Sequence, residues 1–182
     1  MTVEDLSLHI LDIAENSVTA GARCITITVV EDRAADLLVI ELADDGHGMQ
    51  GDDAVRAADP FFTTRSTRRL GLGLALLREA AEAADGSLTI QSAAGKGTTV
   101  RAEFRFGHID RKPLGSMPDT ITTLVATHAG MRIRYRHDRD GRSLFFDTDE
   151  IRREAGTMAL NTSAALGVIR EHLRREEHAL AH

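Results

Sequence analysis

A single cysteine, Cys24, stands in the 182 residues, so neither a disulfide framework nor a thiolate metal site can form within the chain. No apolar run approaches the ~20 residues that span a bilayer. The stretch Met1–Ser17 is acidic and has neither the basic start nor the small-residue cleavage site of a secretory signal, so the expected location is cytoplasmic. Positive charge is not in excess either. Lys and Arg total 22 against 28 Asp and Glu, a net charge of −6 with the two signs interspersed. That balance argues against a general nucleic-acid binder or a membrane-surface protein. No repeat or low-complexity tract is visible. What remains is 42% apolar and 27% charged, the composition of a globular protein, with length for one ordinary domain and a modest extension.

Periodicity places the elements. Leu6, Ile10, Ile13 and Ser17 form a 4-3-4 stripe that predicts a helix over 3–20, with Gly21 as its stop signal. A second stripe, His9, Asp12, Asn16 and Thr19, follows the same helical spacing. Residues 23–30 and 37–42 are β-branched or alternating runs that predict two strands. A glycine-rich turn, Asp44-Asp-Gly-His-Gly48, follows, then a short helix at 52–58 and an aperiodic stretch at 59–69. A further helix is predicted at 73–85, followed by strands at 87–92 and 98–106 about the turn Ala93–Gly97. Residues 107–118 hold two of the three prolines and suit a linker. Past it come a helix at 119–128, a hairpin of 131–137 with 142–147 turning at Asp140-Gly141, and a charged helix at 161–178. The expected fold is a two-layer α/β sandwich, a mixed sheet with helices on one face, plus a small α+β extension.

Three separated segments can carry chemistry together. Asp12 and Asn16 are four apart and project from one helix face. An amide oxygen suits Mg²⁺, a hard ion that keeps several waters and binds substrate phosphates. A carboxylate one turn earlier can orient or deprotonate a water. Taken alone, such a stripe also suits a solvated face. Asp44 at a strand end can accept a hydrogen bond from an exocyclic amine, and Gly46 and Gly48 let backbone pass close beneath a flat base. Gly71-Leu-Gly73 opens a helix whose free N–H groups favour phosphate, with Arg65, Arg68 and Arg69 just upstream.

Several look-alike motifs fall away on context. Gly46-His-Gly48-Met-Gln-Gly51 fits G-x-G-x-x-G, but the βαβ setting of a dinucleotide site is missing. Gly95-Lys-Gly-Thr98 lacks the Ser or Thr that follows a Walker lysine. Asp138-Arg-Asp-Gly141 has its glycine at the fourth rather than the sixth place of a calcium loop and suits a hairpin turn. The histidines His172, His178 and His182 lack metal-ligand spacing, and Cys24, within an apolar run, suits an inert core thiol.

In order and spacing these segments resemble the GHKL superfamily, which includes DNA gyrase, MutL, the large heat-shock chaperone ATPases and the histidine kinases. Leu11–Ser17 resembles its N-box, Asp44-x-Gly-x-Gly48 its first glycine box, Gly71–Leu74 its second and Gly95–Thr98 its last. Pro60–Arg65 looks like the stretch before the ATP lid of histidine kinases, and the resemblance covers about residues 5–106. It implies the Bergerat ATP-binding fold, with ATP and Mg²⁺ as ligands. Asn16 would ligate Mg²⁺. Asp44 would read the adenine amine, with Thr98 nearby through a water. Gly46, Gly48 and Met49 would line the base, and Gly71, Leu72, Gly73 and Leu74 would cradle the phosphates. Thr63, Thr64 and Arg65 would complete the nucleotide site from the segment before the lid.

Asp12 takes the catalytic place where hydrolysing members carry Glu, one methylene longer, so slow turnover is expected; Glu15 points off the shared face. The lid, Ser66–Leu70, is short for a kinase. The N-box begins within ten residues of Met1, which leaves no space for a preceding phosphoacceptor hairpin, and His9 would face the site or solvent. The division expected is 1–106 for the ATP domain, 107–118 for the linker and 119–182 for an extension too small for a core of its own. The extension should dock on the ATP domain or on another chain and offers a surface for a protein partner. Two functions fit: a nucleotide-dependent regulatory switch or slow ATPase, and a protein kinase acting on a His or Ser of a separate protein.

Overall fold

The computed structural model describes residues 5–49, 72–156 and 158–181. Its first helix, α1 (Leu6–Thr19), is N-capped by Asp5, whose carboxylate accepts the Leu8 N–H. At the other end Gly21 takes a φ of +73°, a left-handed conformation that a Cβ would disfavour and that ends the helix. The strands β1 (Cys24–Asp32) and β2 (Leu37–Asp44) follow as an antiparallel pair. Next come α2 (Leu72–Glu82), β3 (Ser87–Ser92) and β4 (Thr98–Arg105). The C-terminal part holds α3 (Met117–Thr127), β5 (Arg132–Arg139), β6 (Arg142–Asp147), α4 (Thr148–Ala155) and α5 (Ser163–Ala181).

All six strands form one mixed sheet in the order β3-β4-β2-β1-β5-β6. Strict alternation decides its two faces. Ile25, Ile27 and Val29 of β1 lie in register with Leu42 and Ile40 of β2 and with Ile133 and Tyr135 of β5, and all are buried. On that face α1, α2, α3 and α5 form a single helical layer, and Leu6, Ile10, Leu77, Ile121, Leu124 and Leu173 join one continuous core. The other face carries Thr26, Thr28, Glu41, Arg101, Arg134 and Arg136, a polar surface laced with ion pairs such as Arg101 with Glu41 and Glu103. The expected two-layer α/β sandwich with helices on one face is present.

The extension docks by its backbone. β5 pairs in parallel with β1 from Cys24↔Arg132 to Glu31↔Arg139, so the hairpin continues the sheet beyond β1. The turn is the predicted one: Asp140 and Gly141 both have positive φ, 47° and 86°, the tight two-residue form favoured by Asp-Gly. Three details differ from expectation. Ser116 caps α3 two residues earlier than the linker reading allowed, because its hydroxyl accepts the Asp119 N–H. A short helix, α4, was not foreseen; Asp147 caps it, and Arg152 ties it down by donating to the Ala129 and Met131 carbonyls. Cys24 is half-buried on the open face rather than in the core, and burial pushes its thiol above the ordinary range.

Candidate nucleotide site

The C-terminal half of α1, the end of β2 and the start of β4 converge on one cleft. Ile13, Asn16, Ser17 and Ala20 reach it from α1, Asp44 from β2, His47, Gly48 and Met49 from the turn, Leu74 from α2, and Thr98 and Val100 from β4. The cavity measures about 130 Å³. Its walls are largely aliphatic, and Asp44 is the carboxylate among them.

That carboxylate is held by three donors. The Ser17 hydroxyl donates to Oδ2 at 2.7 Å, while the N–H groups of Gly46 and Thr98 donate to Oδ1 at 2.9 and 3.3 Å. Bonds to an ionised acceptor are about twice as strong as neutral ones, so Asp44 is fixed in one orientation before any ligand arrives. Ser17 is the small end of the apolar stripe of α1. It is indeed buried, but its hydroxyl is spent on Asp44.

The glycines act through close approach. A Cβ on Gly48, at φ +65°, would lie 2.1 Å from the Ala93 carbonyl oxygen, and one on Gly97 would lie 1.9 Å from that of Asp44. The turn after β2 and the turn before β4 are thus pressed backbone to backbone. They are pinned there by the Gly95 N–H on the His47 carbonyl at 2.7 Å and the His47 N–H on the Ala20 carbonyl at 2.9 Å. Asp45, next to Asp44, points away from the cleft and accepts the N–H groups of Arg23 and Cys24 at 2.7 and 2.8 Å. Those two bonds, that of Cys24 foremost, hold its carboxyl below the ordinary value despite partial burial. Asp45 therefore anchors the turn to the start of β1, a role with no sequence signal beyond its place beside Asp44.

Asn16 lines the cleft, half-buried, and its carboxamide takes no hydrogen bond among the described residues. Such an amide is available to a ligand. Asp12, one turn earlier, is exposed, and a Cβ on Gly73 would approach its Cβ to 3.0 Å. Gly73 thus lets the start of α2 pass directly against Asp12, which puts the second glycine box beside the N-box carboxylate. Leu72 opens α2, and Leu74, 3% exposed, packs into the cleft wall. Thr63, Thr64, Arg65 and Gly71, together with the predicted 52–58 helix and the lid, lie outside the described residues.

Two further residues of the first helix lie off the cleft. His9 is 1% exposed and sits 3.2 Å from the Lys112 Nζ, so it faces the protein interior rather than the site or solvent. Glu15 points off the cleft, as expected, and meets Nε2 of His128, the C-cap of α3, at 2.8 Å.

Comparison with known proteins agrees with this geometry. The family of histidine kinase-, DNA gyrase B- and HSP90-like ATPases matches residues 2–108, more than half of the chain. The chain is 35% identical over 98 residues to the non-motile and phage-resistance protein of Caulobacter vibrioides, covering 51% of this chain and 12% of that protein. It is 36% identical over 73 residues to the sensor histidine kinase YxdK of Bacillus subtilis, covering 38% of this chain and 22% of the kinase. Sporulation kinase C of the same organism is 31% identical over 88 residues, with 48% of this chain and 20% of the kinase covered. The chain therefore spans a minor part of the length of these relatives. A solved structure of the N-terminal domain of a DNA repair protein shares the fold, with a TM-score of 0.54 at 16% identity. It covers 87% of this chain and 54% of that one, so the likeness runs past residue 108. The chain belongs to the histidine kinase-, DNA gyrase B- and HSP90-like ATPase family, which residues 2–108 match.

Proposed function

We propose that the protein is a Mg-ATP-binding regulatory switch or slow ATPase of the cytoplasm. The observation that carries this reading is the preset carboxylate of Asp44 in an aliphatic cleft, fixed by Ser17, Gly46 and Thr98. A flat base with an exocyclic amine fits that wall. The residues also suit the metal. Mg²⁺ commonly takes one or two protein oxygens together with substrate phosphates, and the unengaged carboxamide of Asn16 supplies one. No cluster of three or more His, Cys, Asp or Glu that could cage a metal stands among the described residues. When bound, ATP supplies a transferable γ-phosphoryl group. Asp12 would orient water there, and its short reach supports slow turnover rather than rapid hydrolysis.

In this reading residues 1–106 carry the nucleotide, 107–118 connect, and 119–182 take up the conformational change and meet a protein partner. Two contacts support that coupling. Glu15, adjacent to Asn16, is paired with His128 at the end of α3, and β5 is hydrogen-bonded along β1. Among the described residues no helix is long and apolar enough to cross a membrane, and the net charge of −6 favours a protein partner over nucleic acid.

The second reading, a kinase acting on a His or Ser of a separate protein, draws on the names of the kinase relatives. Incubation with γ-labelled ATP and Mg²⁺, with the chain alone and with proteins captured on it from the native cell, separates the two. Slow release of labelled phosphate with every protein unlabelled is expected. Label on a His or Ser of a captured protein, absent when this chain is left out, would put the kinase reading first.

A further inference from the structure

Beside the cleft, Ser92 at the end of β3 makes three hydrogen bonds with one hydroxyl. Its Oγ accepts the Met49 N–H at 2.8 Å, donates to the Gly97 carbonyl at 3.0 Å and lies 2.8 Å from Oγ1 of Thr98. A serine hydroxyl holds one proton and two lone pairs. The Met49 N–H occupies one lone pair. The proton goes best to Gly97, because a carbonyl is the stronger acceptor and its other contact, the Ala93 N–H, is long at 3.4 Å. The second lone pair is then left for the Thr98 proton. Every donor and acceptor of Ser92 is used in this arrangement alone, and the bonds run in one direction, Thr98 to Ser92 to Gly97, each polarising the next.

The consequence falls on the cleft. Thr98 lines it, and with its proton committed to Ser92 its Oγ1 presents only lone pairs there. At Asp44 the Ser17 hydroxyl and the Gly46 and Thr98 N–H groups all aim at the carboxylate. The wall formed by Asp44 and Thr98 thus accepts hydrogen bonds and offers none. Resting on the ATP-binding reading, we propose that Ser92 is a positioning residue which turns the Thr98 hydroxyl into an acceptor and so selects a 6-amino over a 6-oxo purine. A 6-oxo group brings lone pairs against lone pairs. Without Ser92 the Thr98 proton is free to turn into the cleft and donate toward that oxygen, directly or through a water, and so relieve the conflict.

The test is calorimetric binding of Mg-ATP and Mg-ITP, which differ at the purine 6-position and at N1, a lone pair in ATP and an N–H in ITP. The triphosphate of 6-methoxypurine riboside, whose N1 also keeps its lone pair, controls for the second difference. Wild-type protein should prefer ATP. Ser92→Ala should narrow that preference about threefold to tenfold, the scale of one hydrogen bond, and Ser92→Thr should restore it. Thr98→Val alone keeps the backbone bond to Asp44 and should narrow the preference by a similar factor. In the Thr98→Val background Ser92→Ala should change the ratio no further, since the two act as one unit. Equal weakening of both nucleotides in Ser92→Ala, or a shift that persists in the Thr98→Val background, would overturn the proposal. An unchanged ratio in Thr98→Val would do so even if Ser92→Ala failed to fold. A wild type that bound neither nucleotide would overturn the ATP reading and this proposal with it.

Discussion

Replacing Asp44 by Asn reverses one atom of the site and leaves its shape. The Asn oxygen can still accept the Gly46 and Thr98 N–H groups that now meet Oδ1 at 2.9 and 3.3 Å. The amide nitrogen then takes the place of Oδ2, opposite Ser17. Ser17 can adapt, because its hydroxyl also lies 3.3 Å from the Ile13 carbonyl, to which it can donate while accepting from the new NH₂. The fold should therefore lose no more than about 1 kcal/mol, one ordinary hydrogen bond. Binding fares worse. The adenine amine loses a charge-assisted acceptor, about 1.5–3 kcal/mol, and faces a donor that buries both groups unsatisfied, about 1–3 kcal/mol more. A total near 3–5 kcal/mol predicts ATP affinity lower by roughly 10²- to 10⁴-fold. Calorimetry with Mg-ATP and Mg-GTP, beside a thermal melt of each protein, measures both sides. A variant that binds ATP within about threefold of wild type, or a wild type that binds ATP and GTP equally, would refute the assignment of Asp44 as the base-reading group.

Other variants probe the remaining parts. Asn16→Ala should make nucleotide affinity insensitive to Mg²⁺, measured by titration with and without the metal; an unchanged dependence would return Asn16 to an ordinary helix surface. Asp12→Glu should raise steady-state phosphate release, which is expected in the wild type to fall below the usual enzyme range of ~1–10³ s⁻¹; slower release would show that the site is tuned to the shorter acid. Stability should fall as pH rises. Burial alone would lower the His137 imidazolium, but the Glu177 carboxylate bonded to its Nδ1 at 3.0 Å and the Glu31 carboxylate 3.3 Å from its Nε2 outweigh that and raise it from 6.5 to about 9. A raised folded value means the folded state holds its proton where the unfolded chain has lost it. The contribution is whole below pH 6.5 and is lost on the way to about 9, up to about 3 kcal/mol. Urea unfolding followed at pH 6.5 and 9.5 should show this loss, and Glu177→Gln should flatten it.

How much of this protein its sequence determined follows from the range of the forces involved. Helix and strand periodicity, the positive φ at Gly21 and the Asp140-Gly141 turn are set by residues a few positions apart, and all were legible. The family resemblance was legible too, because the order and spacing of its boxes are properties of the sequence itself. The pairings across the chain were not. Ser17 meets Asp44 across 27 positions, and Asp44 meets the Thr98 N–H across 54. Nothing near Ser92 marks it as the hydroxyl that orders Thr98, since its partners lie in two other segments. The same holds for His137, one of eight histidines, which only the packing of α5 onto the β5–β6 hairpin places 3.0 Å from Glu177. The parallel seat of β5 on β1 was equally closed to the sequence. A hairpin's inner register is fixed by its turn, whereas the strand it joins is chosen by which apolar faces can share one core, and that choice exists only once the sheet is assembled.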